Sequence, residues 1–148
     1  MKIFFAVIIG FVVTTALVMV FERSGSDIGR KNDDQPRPNA PFQNDTVRVT
    51  TPLPGSVVMS PLMVTGEARG TWYFEASFPV TVRDANDQVL GTGAAQAQGE
   101  WMTTEFVPFQ TTASFNIPST ATGFLVLHKD NPSGLPENDA EVRIPIRF

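Results

Sequence analysis

From Thr46 onward, apolar residues recur at every second position. In the stretch TWYFEASFPVTV the even positions Trp72, Phe74, Ala76, Phe78, Val80 and Val82 are apolar, while the odd positions Tyr73, Glu75, Ser77, Pro79 and Thr81 are mostly polar. A period of two predicts a half-buried strand with its apolar face turned inward. The same parity runs through LMVTGEAR, which turns Leu62, Val64 and Ala68 inward. It returns in VRIPIRF, with Val142, Ile144, Ile146 and Phe148 inward and Arg143 and Arg147 outward. Shorter or less regular strand candidates are residues 47–49, 89–97, 103–109, 113–117 and 124–129. No window of this region carries a helical period of 3.6.

The connectors agree with an all-β reading. Residues 84–88, DANDQ, are turn formers that tolerate left-handed backbone. Residues 51–56 and 130–140 read as loops rich in Pro, Gly, Ser and Asn. Seven or eight short strands in roughly 100 residues, separated by regularly spaced turns, describe an immunoglobulin-like β-sandwich. Pro79, Pro108 and Pro145 fall inside strand candidates. Proline has no N–H for the ladder, so all three belong at edges or bulges.

The N-terminal part has another pattern. Residues 3–21, IFFAVIIGFVVTTALVMVF, carry no charge and are almost wholly apolar. A helix of that length spans roughly 28 Å, close to the thickness of a bilayer core. No small-residue cleavage signal follows it, so the segment reads as an uncleaved N-terminal transmembrane anchor, residues 1–21. Residues 22–45 mix charges with Gly, Ser, Asn and Pro and offer few apolar groups to bury. They read as a disordered, flexible linker, leaving residues 46–148 as the folded domain. The formal net charge is −4 and no basic block occurs, so the chain lacks the clustered Lys and Arg of a nucleic-acid surface. Cysteine is absent, which removes disulfides, thiolate ligands and thiol nucleophiles. A single histidine, His128, excludes a multi-histidine zinc site.

Candidate chemistry is sparse. Glu75 is the lone carboxylate of the aromatic stretch, and its parity places it on the outer strand face, with Arg69 and Arg83 as possible partners. A catalytic carboxylate needs a second acid, a histidine or a metal beside it. The acidic residues of 130–141 lack the spacing of a helix–loop–helix calcium loop. His128 has no companion ligand and reads as an ordinary strand residue. No nucleophile motif or glycine-rich phosphate loop is present. Neither a catalytic residue, a metal nor a cofactor is therefore expected. The second aromatic cluster, GEWMTTEFVPFQ, has apolar residues on both parities: Trp101, Val107 and Phe109 against Met102 and Phe106. Either a bulge at Pro108 rotates the strand, or some of these side chains stay on the surface and mark a contact patch. The candidate binding residues are Trp101, Phe106, Phe109 and Tyr73.

The segments ARGTWYFEASFPV, GEWM and NPSG, within a stretch running from about residue 47 to residue 148, resemble the immunoglobulin-like domain of bacterial spore-germination proteins, the one that accompanies the Germane domain. The resemblance implies an extracytoplasmic, non-catalytic sandwich. It brings no catalytic residue to any position of this chain. Lys2 alone precedes the apolar segment, while Arg23, Arg30, Lys31 and Arg37 follow it; that count favours a cytoplasmic C-terminus. A two-residue tail before an apolar run looks like an export signal, and the resemblance agrees, so the domain is expected outside the cell membrane. The expected function is protein–protein interaction or assembly with an envelope component. The alternative is a carbohydrate- or peptidoglycan-binding module built on surface aromatics.

Overall fold

The computed structural model describes residues 40–148; the anchor expected at residues 3–21, and residues 22–39 of the expected linker, lie outside them. Eight antiparallel strands form the domain: β1 (Phe42–Gln43), β2 (Val47–Thr51), β3 (Leu62–Arg69), β4 (Ser77–Asp84), β5 (Val89–Ala97), β6 (Phe106–Ala113), β7 (Thr122–His128) and β8 (Glu141–Arg147). The hydrogen-bonded order is β1-β2-β3-β6-β5-β4-β7-β8. β3 and β6 pair along their full length, from Leu62↔Ala113 to Arg69↔Phe106. β5 and β6, by contrast, share only Gln96↔Gln110 and Ala97↔Phe109. The sheet folds over at that short seam into two layers, β1-β2-β3-β6 and β5-β4-β7-β8. On the opposite side, the β2–β3 loop bonds to β8 through Gly55 N–H to Pro145 O at 2.7 Å and Val58 N–H to Arg147 O at 2.8 Å. Both open corners are thereby tied. β1 lies inside the segment read from sequence as linker, because Phe42 packs partly against the core.

The inward parity positions fill the space between the layers. Val47, Val49, Val64, Ala68 and Phe109 come from one layer, and Phe78, Val80, Val82, Leu125, Leu127 and Ile144 from the other; none is more than 2% exposed. Phe78 is the hub. Its ring meets Trp72, Tyr73 and Phe109 edge-on, at centroid distances of 5.9, 5.1 and 5.0 Å. Edge-to-face pairs place the positive rim of one ring on the negative face of another. Gly66 makes room for this stack, since a Cβ there would lie 2.8 Å from the Phe109 ring. The prolines sit where a missing donor does no harm. Pro79 lies one residue beyond the last rung of the β4–β7 ladder, and Pro145 is on the outermost strand. Pro108 faces the sparse β5–β6 seam, its carbonyl accepting from Gln98 N–H at 2.8 Å.

The expected straight strand over 72–82 is not continuous. Gly70–Trp72 forms a turn of 3-10 helix, and β4 begins only at Ser77. Between them Phe74 and Ser77 exchange both backbone hydrogen bonds, at 3.0 and 3.1 Å, around Glu75 and Ala76. Both of these residues have positive φ, 49° and 62°, the sign a tight mirror-image hairpin turn requires. The reversal resets the parity. Trp72 and Tyr73 are both buried, while Phe74, read from sequence as core, is 42% exposed. The candidate at 113–117 also differs: the strand ends at Ala113, and Asn116 is fixed by one bond from its N–H to Leu90 O at 3.0 Å.

Candidate functional site

Chain direction places the β1–β2 turn (residues 44–46) and three longer loops at one end of the sandwich: β3–β4 (residues 70–76), β5–β6 (98–105) and β7–β8 (129–140). Gly70 joins the first two. Its N–H donates to Glu105 O at 3.0 Å, and a side chain there would collide with the carbonyls of Trp101 and Thr103. The third loop is bound to the first by Asp130 N–H donating to Trp72 O at 3.0 Å. Within that third loop, Asn131 donates to Leu135 O at 2.8 Å and to the Asp139 carboxylate at 2.6 Å. Local polar bonds thus shape the long Pro/Gly/Asn loop without a core of its own.

Two shallow grooves run across this end and share Thr71 and Tyr73 as a common wall. One, of about 380 Å³, lies along Trp101, Met102, Thr103 and Thr104. The other, of about 370 Å³, is bounded by Phe74 and by Lys129 through Ser133. Volumes of this size stand at the low end of small-molecule pockets. Met102 and Phe74, which line the grooves, are 75% and 42% exposed, and Leu135, on the β7–β8 loop but outside both linings, is 50% exposed. None is needed by the core; the loops of the opposite end likewise expose Val57, Met59 and Ile117, at 60%, 80% and 95%.

The sequence-derived candidates divide. Trp101 lies in the first groove, half-buried and packed against the edge of the core. Tyr73 lines both grooves only by its margin, for its ring is buried and its hydroxyl donates to Val107 O at 2.7 Å. Burial is the main reason its phenol titrates far above the ordinary value, with the Glu67 charge adding to the rise against a backbone hydrogen bond at Ala68. Phe109 is a core residue, 2% exposed. Phe106 belongs to another face and is already occupied: the guanidinium groups of Arg48 and Arg69 lie 3.8 and 4.1 Å from its ring centroid. Such stacking is cation–π attraction. Of the four, then, only Trp101 offers surface at the loop end. Phe74 and Leu135 were not singled out from sequence as site residues, whereas Met102 was named in the second aromatic cluster with exposure as one of its two readings. Leu135 did carry a signal, an isolated apolar residue in a run of Pro, Ser, Gly and Asn where no periodicity would bury it.

The polar side chains do not converge on chemistry. Glu75 is exposed at its turn. His128, on the outer face of β7, has Nε2 3.1 Å from the Thr81 hydroxyl and Nδ1 3.6 Å from the Glu141 carboxylate. Burial lowers its pKa from the ordinary value, against the pull of Glu141. Among the described residues no group of three or more His, Asp or Glu side chains is placed to hold a metal ion.

Two antiparallel layers, a Greek-key strand order, a common core and three loops gathered at one end define an immunoglobulin-like domain. The family comparison agrees in fold and adds a lineage. Residues 46–135 match the family described as the immunoglobulin-like domain of bacterial spore germination, and the chain belongs to that family. The match ends before β8, which completes the second layer in this chain. Neither the curated proteins nor the solved structures contain a match.

Proposed function

We propose that this chain is a non-catalytic interaction module of the bacterial cell envelope, held to the membrane by residues 3–21 with its sandwich on the extracytoplasmic side. The loop end docks another envelope protein. One observation carries this reading: Phe74, Met102 and Leu135 stand exposed on three different loops of the same end, Met102 and Phe74 lining two adjoining grooves. Three separate chain segments spend apolar side chains on one surface that the core does not use. Family membership supports the absence of catalysis, since it carries no catalytic residue onto the chain.

The test is site-specific photo-crosslinking in cells, with the reactive group placed at Met102, at Leu135 or, as a control, at Gln110 on an exposed strand position. A discrete protein adduct from the two loop positions, absent from Gln110 and lost when Phe74 is changed to Asp, is the expected result. Adducts of equal pattern from all three positions, or none from the loops, overturn the reading. A second reading, glycan binding, draws on Trp101 beside the hydroxyls of Thr71, Thr103 and Thr104; co-sedimentation with purified cell wall, abolished by Trp101→Ala, is what it requires.

A further inference from the structure

The two ends of the sandwich differ in charge. The three loops described above carry six carboxylates, Glu75, Glu100, Glu105, Asp130, Glu137 and Asp139, against one amine, Lys129. The amine is engaged, its Nζ donating to Asn138 O at 3.0 Å. Arg69 at the rim stands 3.7 Å from Glu105. The side chains of Glu75, Asp130 and Glu137 have no hydrogen-bond or ion-pair partner among the described residues. At the opposite end, the loops over 52–61, 85–88 and 114–121 hold a single carboxylate, Asp87, already ion-paired with Arg83 at 3.3 Å and with Arg143. The acidity is therefore local to the end that also exposes Phe74, Met102 and Leu135.

Resting on the docking role proposed above, we infer that the partner surface is cationic and amphipathic: a protein segment that places apolar side chains in the two grooves and Lys or Arg against the surrounding carboxylates. Charge complementarity of this kind steers encounter and fixes register. An anionic glycan or an acidic lipid surface meets repulsion here instead.

The experiment uses the full chain in nanodiscs of zwitterionic lipid and two fluorescent amphipathic peptides of equal length, one alternating Leu with Lys and the other Leu with Glu. Fluorescence anisotropy reads binding at low and high salt. Two variants match in charge, each raising the net charge by three. Glu75→Gln/Glu100→Gln/Glu137→Gln neutralises the loop end, and Asn86→Lys/Gln88→Lys/Asn116→Lys adds cations at exposed positions of the other end. The expected result is binding of the Lys peptide alone, weakened about tenfold by the loop-end triple, which is one decade in Kd, and less than about twofold by the other. Salt should weaken it as well, because exposed charges are screened beyond about 10 Å at 0.1 M. Equal weakening by both triples reveals attraction to overall charge only and overturns the inference. Equal binding of both peptides, lost in Phe74→Ala/Met102→Ala, also overturns it while leaving the docking surface standing. Binding of neither peptide, or indifference to that apolar double variant, overturns the docking reading with it.

Discussion

Phe74 and Phe78 are the same residue four positions apart, and the hairpin turn between them gives them opposite roles. Phe78 is fully buried and touches three aromatic rings. Truncating a buried Phe to Ala costs about 3–5 kcal/mol, from lost transfer energy and the cavity left behind. Three edge-to-face contacts, each worth about 0.5–1.5 kcal/mol beyond burial, put Phe78→Ala in the upper half of that range, about 4–5 kcal/mol. Phe74 is 42% exposed. Full burial of such a side chain is worth about 1.5–3 kcal/mol, so losing little more than half of it costs about 1–1.5 kcal/mol and opens no closed cavity. A domain has about 5–15 kcal/mol in all, so Phe78→Ala removes a third or more of it and Phe74→Ala a small fraction. The assay is urea unfolding of a fragment starting at residue 40, followed by tryptophan fluorescence; of its two tryptophans Trp72 is the one that is 3% exposed and packs against Phe78. Equal losses in the two variants, or a larger loss for Phe74→Ala, refute the turn: the strand would then run straight from Trp72 with both rings inward.

Three other consequences are checked by the same unfolding experiment, and a fourth by proteolysis. Ala76→Gly should stabilise the domain by up to about 1 kcal/mol, because a left-handed non-glycine residue costs about 1–2 kcal/mol and glycine returns about 0.5–1 of that as entropy; a loss of stability would show that the turn is unstrained. Asp84→Ala should cost about 2–3 kcal/mol by removing hydrogen bonds to a charged acceptor, since the buried Asp84 carboxylate accepts from the N–H groups of Asn86 and Gln88 at 2.9 Å and from the Ser119 hydroxyl at 3.0 Å. Asp84→Asn should cost less, and a mild Asp84→Ala would refute the capping role. Burial lowers the folded pKa of His128, so the unfolded chain binds its proton first: stability should rise with pH from the folded pKa up to about 6.5, the unfolded value, and be flat above it. His128→Gln should remove that slope; an unchanged slope assigns it elsewhere. Proteolysis of intact cells should remove the domain, and resistance until lysis would place it in the cytoplasm.

Most of the architecture was legible because burial imposes a period of two. Val64, Val80, Val82, Ile144 and Ile146 announce their faces by alternation alone, and the structure buries each of them. The loop end was less legible for a physical reason. Parity can be read across a strand only while the chain stays extended, and Glu75-Ala76 reverses it without the Asn or Gly that normally supplies positive φ. With no such marker, Phe74 reads as core. The second aromatic cluster suffers from the same limit: Phe109 belongs to β6 and obeys its parity, whereas Trp101 and Met102 precede that strand in a loop where no period applies.

The unmarked turn and the exposed ring belong together. A reversal built from Asn-Gly would hold β4 in place with less backbone strain, so strand pairing alone gives no reason for Glu75 and Ala76. At that turn Glu75 adds a carboxylate to the loop end, while Phe74, the residue just before it, faces outward beside the β7–β8 loop. The buried neighbours then act as the support: Tyr73 is fixed by its bond to Val107 O and by Phe78 beneath it, and Trp72 holds the Asp130 N–H of the adjoining loop. A rigid aromatic floor under these loops would limit the conformational entropy lost if the proposed partner seats on them. Tyr73→Phe separates floor from surface: it keeps the ring and removes only the hydroxyl bond. It should cost about 0.5–1.5 kcal/mol of stability and weaken binding of the Lys peptide without altering its salt dependence. A change in the salt dependence would mean that Tyr73 takes part in the charged contact and is not its support.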